Sequence, residues 1–344
     1  MLQYSSDHSV PICPADGADY CSSSQGSNSA CKRCVQHIAI GERHLCVMLY
    51  DCSIECAGTA SYGEAWRGAA SYSNKLVPAP ALAGMTITTV GSGLAHSCVL
   101  TAVSDSEGSN KVYCVGWNRS GELGDGTLEP SSVPVAVQGL QCSRIAQLAA
   151  GGVDNCVVYA DPGSLMQCWG SHFLRANVTG GVVKYSVCIA TAIPGTAGAK
   201  AVTVPAGNGD SCAVLQNSTV VCWYLDINYV YPIERLQNVV RVAVGSYFGC
   251  AVVQGEGSDA HGSVWCLNMG SGRTSVFIAG TGTGRPRKVV GLPGSAVDVG
   301  CWSSACMCSC EGAKCKQWRR LLLGLQQCRA IGTRACQCHN WSSS

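Results

Sequence analysis

Apolar and polar positions along this chain alternate in short runs broken by glycine. The clearest stretch is residues 86–140, TITTVGSGLAHSCVLTAVSDSEGSNKVYCVGWNRSGELGDGTLEPSSVPVAVQGL. An apolar run ends at Val90, Gly91 and Gly93. His96-Ser97-Cys98-Val99-Leu100 follows, then a polar turn, then Val112-Tyr113-Cys114-Val115-Gly116-Trp117. A glycine-rich loop, GELGDGT, leads to a last apolar segment that contains Pro134. Period-two patterning with Val, Thr and Tyr enrichment predicts strands for these runs, joined by glycine-bearing turns.

Weaker copies of this unit recur, and two anchors align them: a cysteine soon after a glycine, and a second cysteine on the next strand, often beside tryptophan. IAIGERHLCVML supplies Gly41, His44 and Cys46, with Cys56 or Cys52 as partner. Later copies supply Gly151, Cys156, Cys168 and Trp169; Gly207, Cys212, Cys222 and Trp223; and Gly245, Cys250, Trp265 and Cys266. In these five units glycine stands five residues before the first cysteine. Gly300, Cys306, Cys315 and Trp318 extend the pattern with a spacing one residue longer, and Cys13 and Cys21 read as the tail of a further unit. The expected units are residues 1–34, 35–85, 86–140, 141–199, 200–237, 238–292 and 293–318, forming one domain over 1–318. Residues 176–199 read as a looser Gly/Ala/Thr insertion. After Trp318 the pattern fails, leaving 319–344 as a basic, cysteine-rich tail or a closing strand.

A small antiparallel sheet cannot bury both faces alone, so neighbouring units must stack. Radial stacking satisfies this with only short edges exposed, which predicts an all-β propeller of seven blades, six being the alternative. The motifs at Gly93–His96–Ser97, Gly116-Trp117-Asn118 and Gly121–Gly126 resemble the repeats of the regulator of chromosome condensation family. That resemblance covers roughly residues 10–318 and is nearly complete only in the third unit. It implies a seven-bladed propeller used as an interaction platform or, as in the family's namesake, as a nucleotide-exchange factor for a Ran-type small GTPase.

Composition changes the picture chiefly through cysteine. Hydrophobic residues make up 47% of the 344 residues and charged residues 13%, low against a typical ~25%. The 41 glycines favour short strands and tight turns. A net charge of +2 gives no electrostatic reason to expect nucleic acid or an anionic membrane as partner. No apolar run approaches the roughly 20 residues of a membrane-spanning helix. Twenty-five cysteines are many for a cytosolic protein and point either to oxidation in a secretory setting or to metal binding. The sequons at Asn118, Asn177, Asn217 and Asn340 lean towards secretion. MLQYSSDHSVPIC has neither a basic n-region nor an apolar h-region, so either the chain is truncated at its start or its export does not use a cleaved peptide.

The cysteine pairs Cys13/Cys21, Cys46/Cys56, Cys98/Cys114, Cys156/Cys168, Cys212/Cys222, Cys250/Cys266 and Cys306/Cys315 are candidate disulfides, because opposed residues on antiparallel strands fall within bonding distance. The competing reading is reduced, buried, apolar cysteine. Eleven cysteines remain, at 31, 34, 52, 142, 188, 301, 308, 310, 328, 336 and 338. An odd total leaves at least one thiol free or linked to another chain. Cys31-x-x-Cys34 lacks the second C-x-x-C of a zinc site, and neither Cys306/Cys308/Cys310 nor His339 beside Cys336 and Cys338 offers a persuasive metal geometry. No metal is expected.

His44 and His96 share a repeat position that Asp154, Asp210 and Phe248 hold elsewhere, which suits a hydrogen bond between blades better than an acid/base group. Gly280–Gly284 lacks the Lys-Ser/Thr of a phosphate loop, and Gly121–Gly126 lacks the ligand set of a calcium loop. Arg285, Arg287 and Lys288, like Arg319 and Arg320, read as solvated loop charges. No catalytic residue and no cofactor is expected. The sequence favours a non-enzymatic protein-interaction propeller, disulfide-stapled and extracellular or luminal, with a protein partner. The alternatives are the Ran-type exchange factor, and a fragment of a larger multidomain protein.

Overall fold

The computed structural model describes residues 35–49, 51–103, 109–178, 181–205, 210–223, 227–245, 248–255, 262–268, 286–290, 295–302, 305–310 and 319–321. Among these, every regular element is a β-strand except one 3-10 turn, Pro80–Leu82. The strands form six antiparallel sheets, five of four strands and one of three. They fall in two compact units, Met1–Lys200 with Leu225–Asn228, and Ala201–Tyr224 with Tyr229–Ser344.

The first unit holds three sheets. They are β1–β4 (Val35–Ile40, His44–Leu49, Ile54–Ala60, Ser71–Pro78), β5–β8 (Ile87–Ser92, His96–Thr101, Val112–Gly116, Ser131–Ala136) and β9–β12 (Ile145–Ala150, Asp154–Tyr159, Gln167–Val178, Gly181–Ala192). The second unit holds the remaining three: β13–β16 (Ala199–Thr203, Ser211–Leu215, Val220–Trp223, Val230–Pro232), β17–β20 (Val239–Val244, Phe248–Val253, Ser263–Asn268, Arg287–Lys288) and β21–β23 (Ala296–Trp302, Ala305–Cys310, Arg319–Leu321). Each sheet is a meander in which successive strands are hydrogen-bonded neighbours.

Strand composition follows position in the sheet. The second strands are buried on both faces: all six residues of β10 are buried, and so are the first five of β6. For β6 the cause is direct, since its sheet lies between β1–β4 and β9–β12. The outer strands β4 and β8 face water, and they carry Lys75, Pro78 and Pro134, residues that blunt an exposed strand edge. Between the first two sheets the core gathers Met48, Ile54, Trp66, Leu82, Ile87, Val90, Val99 and Val115. In the second unit, Val214, Val220, Leu236, Val239 and Val244 fill one inter-sheet layer, and Val252, Val264, Ala296 and Val299 fill the next. Each large side chain removed from water contributes about 1.5–3 kcal/mol.

The recurring glycine has a steric cause. At Gly93 the turn closes with its N–H on the carbonyl of His96, at 2.8 Å. A Cβ there would stand 2.1 Å from His96 Cε1 and 2.4 Å from the carbonyl oxygen of Gly151, in the equivalent turn of the next sheet. No side chain fits where two turns come this close.

One region differs from the sequence reading, and the start of the tail takes one of its two expected forms, a closing strand. Residues 176–199 are not a loose insertion: β11 and β12 form a long hairpin, paired from Gln167↔Ala192 to Val178↔Gly181. Beyond the β10 pairing it continues as a two-stranded arm. Residues 319–321 are a strand on β22, with Cys306 opposite Leu321. On its other side Cys306 faces Cys301 of β21. Cys315 itself, residues 1–34 with Cys13, Cys21, Cys31 and Cys34, the loop 280–284 and the tail cysteines with Asn340 lie outside the described residues.

Candidate functional site

The strand register brings five cysteine pairs face to face. Cys46 opposes Cys56, Cys98 opposes Cys114, Cys156 opposes Cys168, Cys212 opposes Cys222 and Cys250 opposes Cys266. All five are disulfides with Cα atoms 4.1 Å apart, each joining the second and third strands of its sheet. Their side chains are buried. Cys56, not Cys52, partners Cys46; Cys52 and Cys301, unassigned from sequence, are themselves disulfide-bonded. Cys142 is a free, exposed thiol and Cys188 a free, half-buried one.

Around these staples runs a buried polar seam. His44 Nε2 lies 2.8 Å from Ser97 Oγ in the next sheet. One repeat on, His96 Nε2–H donates to Asn155 Oδ1 at 2.9 Å. In each case the histidine reaches the residue just before the next sheet's stapled cysteine. Burial holds the imidazoles neutral: it is the main cause that pushes His44 down to about 4, with the His96 and Arg67 charges adding to it. Burial also lowers His96, against the opposing pull of Asn155 and Asp154.

The GELGDGT loop is a structural plug. Asn118 is 0% exposed. Its Oδ1 accepts the Leu123 N–H, and its Nδ2 donates towards Asp125 Oδ1, Thr127 and the Glu129 carbonyl. The Glu122 carbonyl accepts from Trp169 Nε1 and from Asn155 Nδ2, both in the following sheet. A glycan on Asn118 would remove these bonds and displace buried neighbours, which weighs against use of that sequon. Asn217 differs. It is exposed in the β14–β15 turn, where its Oδ1 accepts from Thr219 N–H and Oγ1–H. Asn177 lies on β11 near the tip of the arm.

Two features were missed from sequence. The loop Ser61–Arg67, between β3 and β4, is the first sheet's counterpart of the loop after Asn118. Glu64 takes the N–H groups of Ser61 and Tyr62, Trp66 is fully buried, and Arg67 donates to the carbonyls of Cys56 and Gly58. The recurrence of Gly-Glu at 63–64 and 121–122 was the available signal. The second feature is a cavity of about 230 Å³, lined by Leu94, Ala95 and His96 at the β5–β6 turn, Gly152 and Val153 at the β9–β10 turn, and Trp117 and Glu122 after β7. Tyr62 meets the Trp117 ring edge-on, with centroids 4.9 Å apart. Burial raises Glu122 above its ordinary value, with the Asp154 charge adding to this, while its own N–H and the N–H and hydroxyl of Ser120 work against it.

Among the described residues no group of three or more His, Cys, Asp and Glu side chains could hold a metal ion. Among them, too, no helix is long and apolar enough to cross a membrane.

Stacked four-stranded meanders, tied by turn-to-turn hydrogen bonds and stapled between second and third strands, define a disulfide-bonded β-propeller. Residues 109–158 match the model of the Regulator of chromosome condensation (RCC1) repeat, and the fold is similar to that of RCC1-like propellers. It is 25% identical over 297 residues to the human E3 ubiquitin-protein ligase HERC2, an alignment covering 78% of this chain but spanning only 6% of that relative's length. Its fold is similar to that of human WBSCR16 (TM-score 0.59, 20% identity, 78% of this chain and 70% of the other). It is also similar to Prp20p of Saccharomyces cerevisiae, a protein studied for binding to Gsp1p and histones (TM-score 0.56, 15% identity, 80% and 69%).

Proposed function

We propose that this propeller is a non-enzymatic protein-interaction module of the extracellular space or secretory lumen. The observation that carries this reading is the set of five buried disulfides at one repeated register position. Cytosolic thiol systems keep such cysteines reduced, and a fold that places a pair at the same point in five sheets suits an oxidising compartment. The role itself lives in the partner-facing turns and loops, since fold alone does not give function. The test is a pull-down with the oxidised full chain, paired with mass spectrometry of unreduced peptides. Retention of a specific protein, with Cys98–Cys114 and Cys156–Cys168 linked, supports the reading. Free thiols at both pairs in native material sink it.

A second reading, exchange factor for a Ran-type GTPase, draws on the fold shared with Prp20p. It requires a reducing compartment, which the disulfides oppose. Accelerated nucleotide release from a Ran-type GTPase would reverse the order of the two.

A further inference from the structure

We propose that the cavity at Trp117 and Glu122 receives one basic side chain, lysine or arginine, from the protein partner. This rests on the interaction reading above and specifies the chemistry the partner must present.

Size comes first. At about 230 Å³ the cavity is smaller than the roughly 300–1,000 Å³ of drug-sized ligand sites, and it suits one side chain. Leu94, Ala95, Trp117 and Val153 are half-buried, so the cavity opens to solvent between apolar walls, and the buried Glu122 is among its lining residues. Such walls match the methylene stem of a long basic residue, whose head can then meet an indole face and a carboxylate.

The carboxylate is the second, independent observation. Glu122 Oε2 accepts the Ser120 N–H at 2.8 Å. Its Oε1 is buried and has no hydrogen-bond partner. In the sister loop, Glu64 uses both oxygens, taking the Ser61 N–H at 3.1 Å and the Tyr62 N–H at 2.7 Å. The same turn can therefore satisfy a glutamate fully, yet at Glu122 one acceptor is left over. Asp154 adds negative charge within electrostatic reach, and no Lys or Arg lines the cavity. Arg119, three residues upstream, is paired with Glu129 at 3.5 Å. A buried acceptor without a donor is a standing cost that a charged donor removes, and charge-assisted bonds are the strong ones.

The test uses the oxidised full chain and three probes: the N-acetyl methylamides of arginine, lysine and norleucine. Binding is read from the Trp117 indole N–H resonance, assigned by its loss in Trp117→Phe. The expected result is saturable binding of the two basic probes and none of norleucine. Glu122→Gln should weaken basic-probe binding about tenfold. Ala95→Leu, which narrows the mouth without touching Glu122, should abolish it and keeps the test open should Glu122→Gln not fold. Equal binding of norleucine, no saturation by either basic probe, or unchanged binding in both folded variants overturns the proposal. Capture of one protein by wild type and both variants alike overturns the cavity while the interaction reading stands. A cation-selective cavity on a chain that captures no protein overturns the interaction reading instead.

Discussion

His96 of one sheet donates through Nε2–H to Asn155 of the next, across 59 residues of sequence and 2.9 Å of space. The bond fixes the imidazole tautomer and locks two tight turns together in a dry layer, and Asn155 passes the connection on to the Glu122 carbonyl. Replacing His96 by Ala should leave the Asn155 acceptor unpaired and open a small void, lowering stability by about 2–4 kcal/mol. Urea denaturation of the oxidised chain measures this. A loss under about 0.5 kcal/mol would show that water replaces the imidazole without penalty.

Acid should weaken the same seam. His44 titrates near 4 in the folded chain against 6.5 in the unfolded one, because burial disfavours its charged form. Above pH 6.5 both states are neutral and His44 adds no pH dependence. As pH falls from about 6.5 towards 4, the unfolded chain takes up a proton that the folded chain refuses, so stability drops across that window. At about 1.4 kcal/mol per pKa unit the His44 share is about 3 kcal/mol. The denaturation midpoint should fall over this range in wild type and fall less steeply in His44→Gln, whose amide can still reach Ser97.

Much of the scaffold could be read from sequence because its anchors are physically forced. Gly93 is glycine because the Gly151 carbonyl occupies the space of a side chain, and Cys98 recurs because cross-strand register brings Cys114 opposite it. The same approach recurs at Gly41, where a Cβ would stand 2.5 Å from the Gly93 carbonyl oxygen, and a repeated constraint leaves a period. The outer strand β12 left none. It lies at a sheet edge, partly in water, where neither alternation nor a fixed partner is demanded, so its Gly/Ala/Thr content read as loop. The cavity left less still, since its character depends on whether one backbone N–H turns towards Glu122, a difference of local geometry between two Gly-Glu loops. Asn118 shows a related limit: Asn-x-Ser reports the chemistry of an acceptor and says nothing of its burial.

The disulfides carry a separate expectation. Cys98–Cys114 closes a loop with a sequence separation of 16, which the chain-entropy model values at about 3 kcal/mol. The double variant Cys98→Ser/Cys114→Ser should lose stability of that order while its four sister bonds still form. Peptide mapping of the variant checks the bonds and denaturation checks the loss. A variant as stable as wild type would mean that packing alone holds β6 to β7.

Glycan occupancy should separate two sequons that look alike. In a secretory host Asn217, exposed at a hairpin turn with its amide oxygen engaged by Thr219, should carry a glycan. Asn118, buried with both ends of its amide engaged, should not. Mass spectrometry after enzymatic deglycosylation in heavy-oxygen water marks each modified asparagine. An occupied Asn118 in folded, secreted material contradicts the plugged-loop arrangement. Asn118→Ala, which removes several buried bonds at once, should cost more than 2 kcal/mol, as losses of networked buried hydrogen bonds do.

The glycine anchor allows a last prediction with an internal control. Gly93→Ala puts a methyl group 2.1 Å from His96 Cε1 and 2.4 Å from the Gly151 carbonyl oxygen. The imidazole could turn away only by giving up Asn155, and the carbonyl belongs to a turn that is itself bonded to Asp154. Neither neighbour can yield cheaply, so the loss should exceed 3 kcal/mol, the range of severe overpacking. Gly163→Ala meets nothing closer than 3.4 Å, and that contact is the side-chain oxygen of Asp161 on an exposed turn. It should change stability by less than about 0.5 kcal/mol. Comparing the two variants isolates the inter-sheet turn contact from any general effect of adding a methyl group to a glycine turn. If both are tolerated equally, the spacing of glycine five residues before cysteine has some cause other than the approach of one turn to the next.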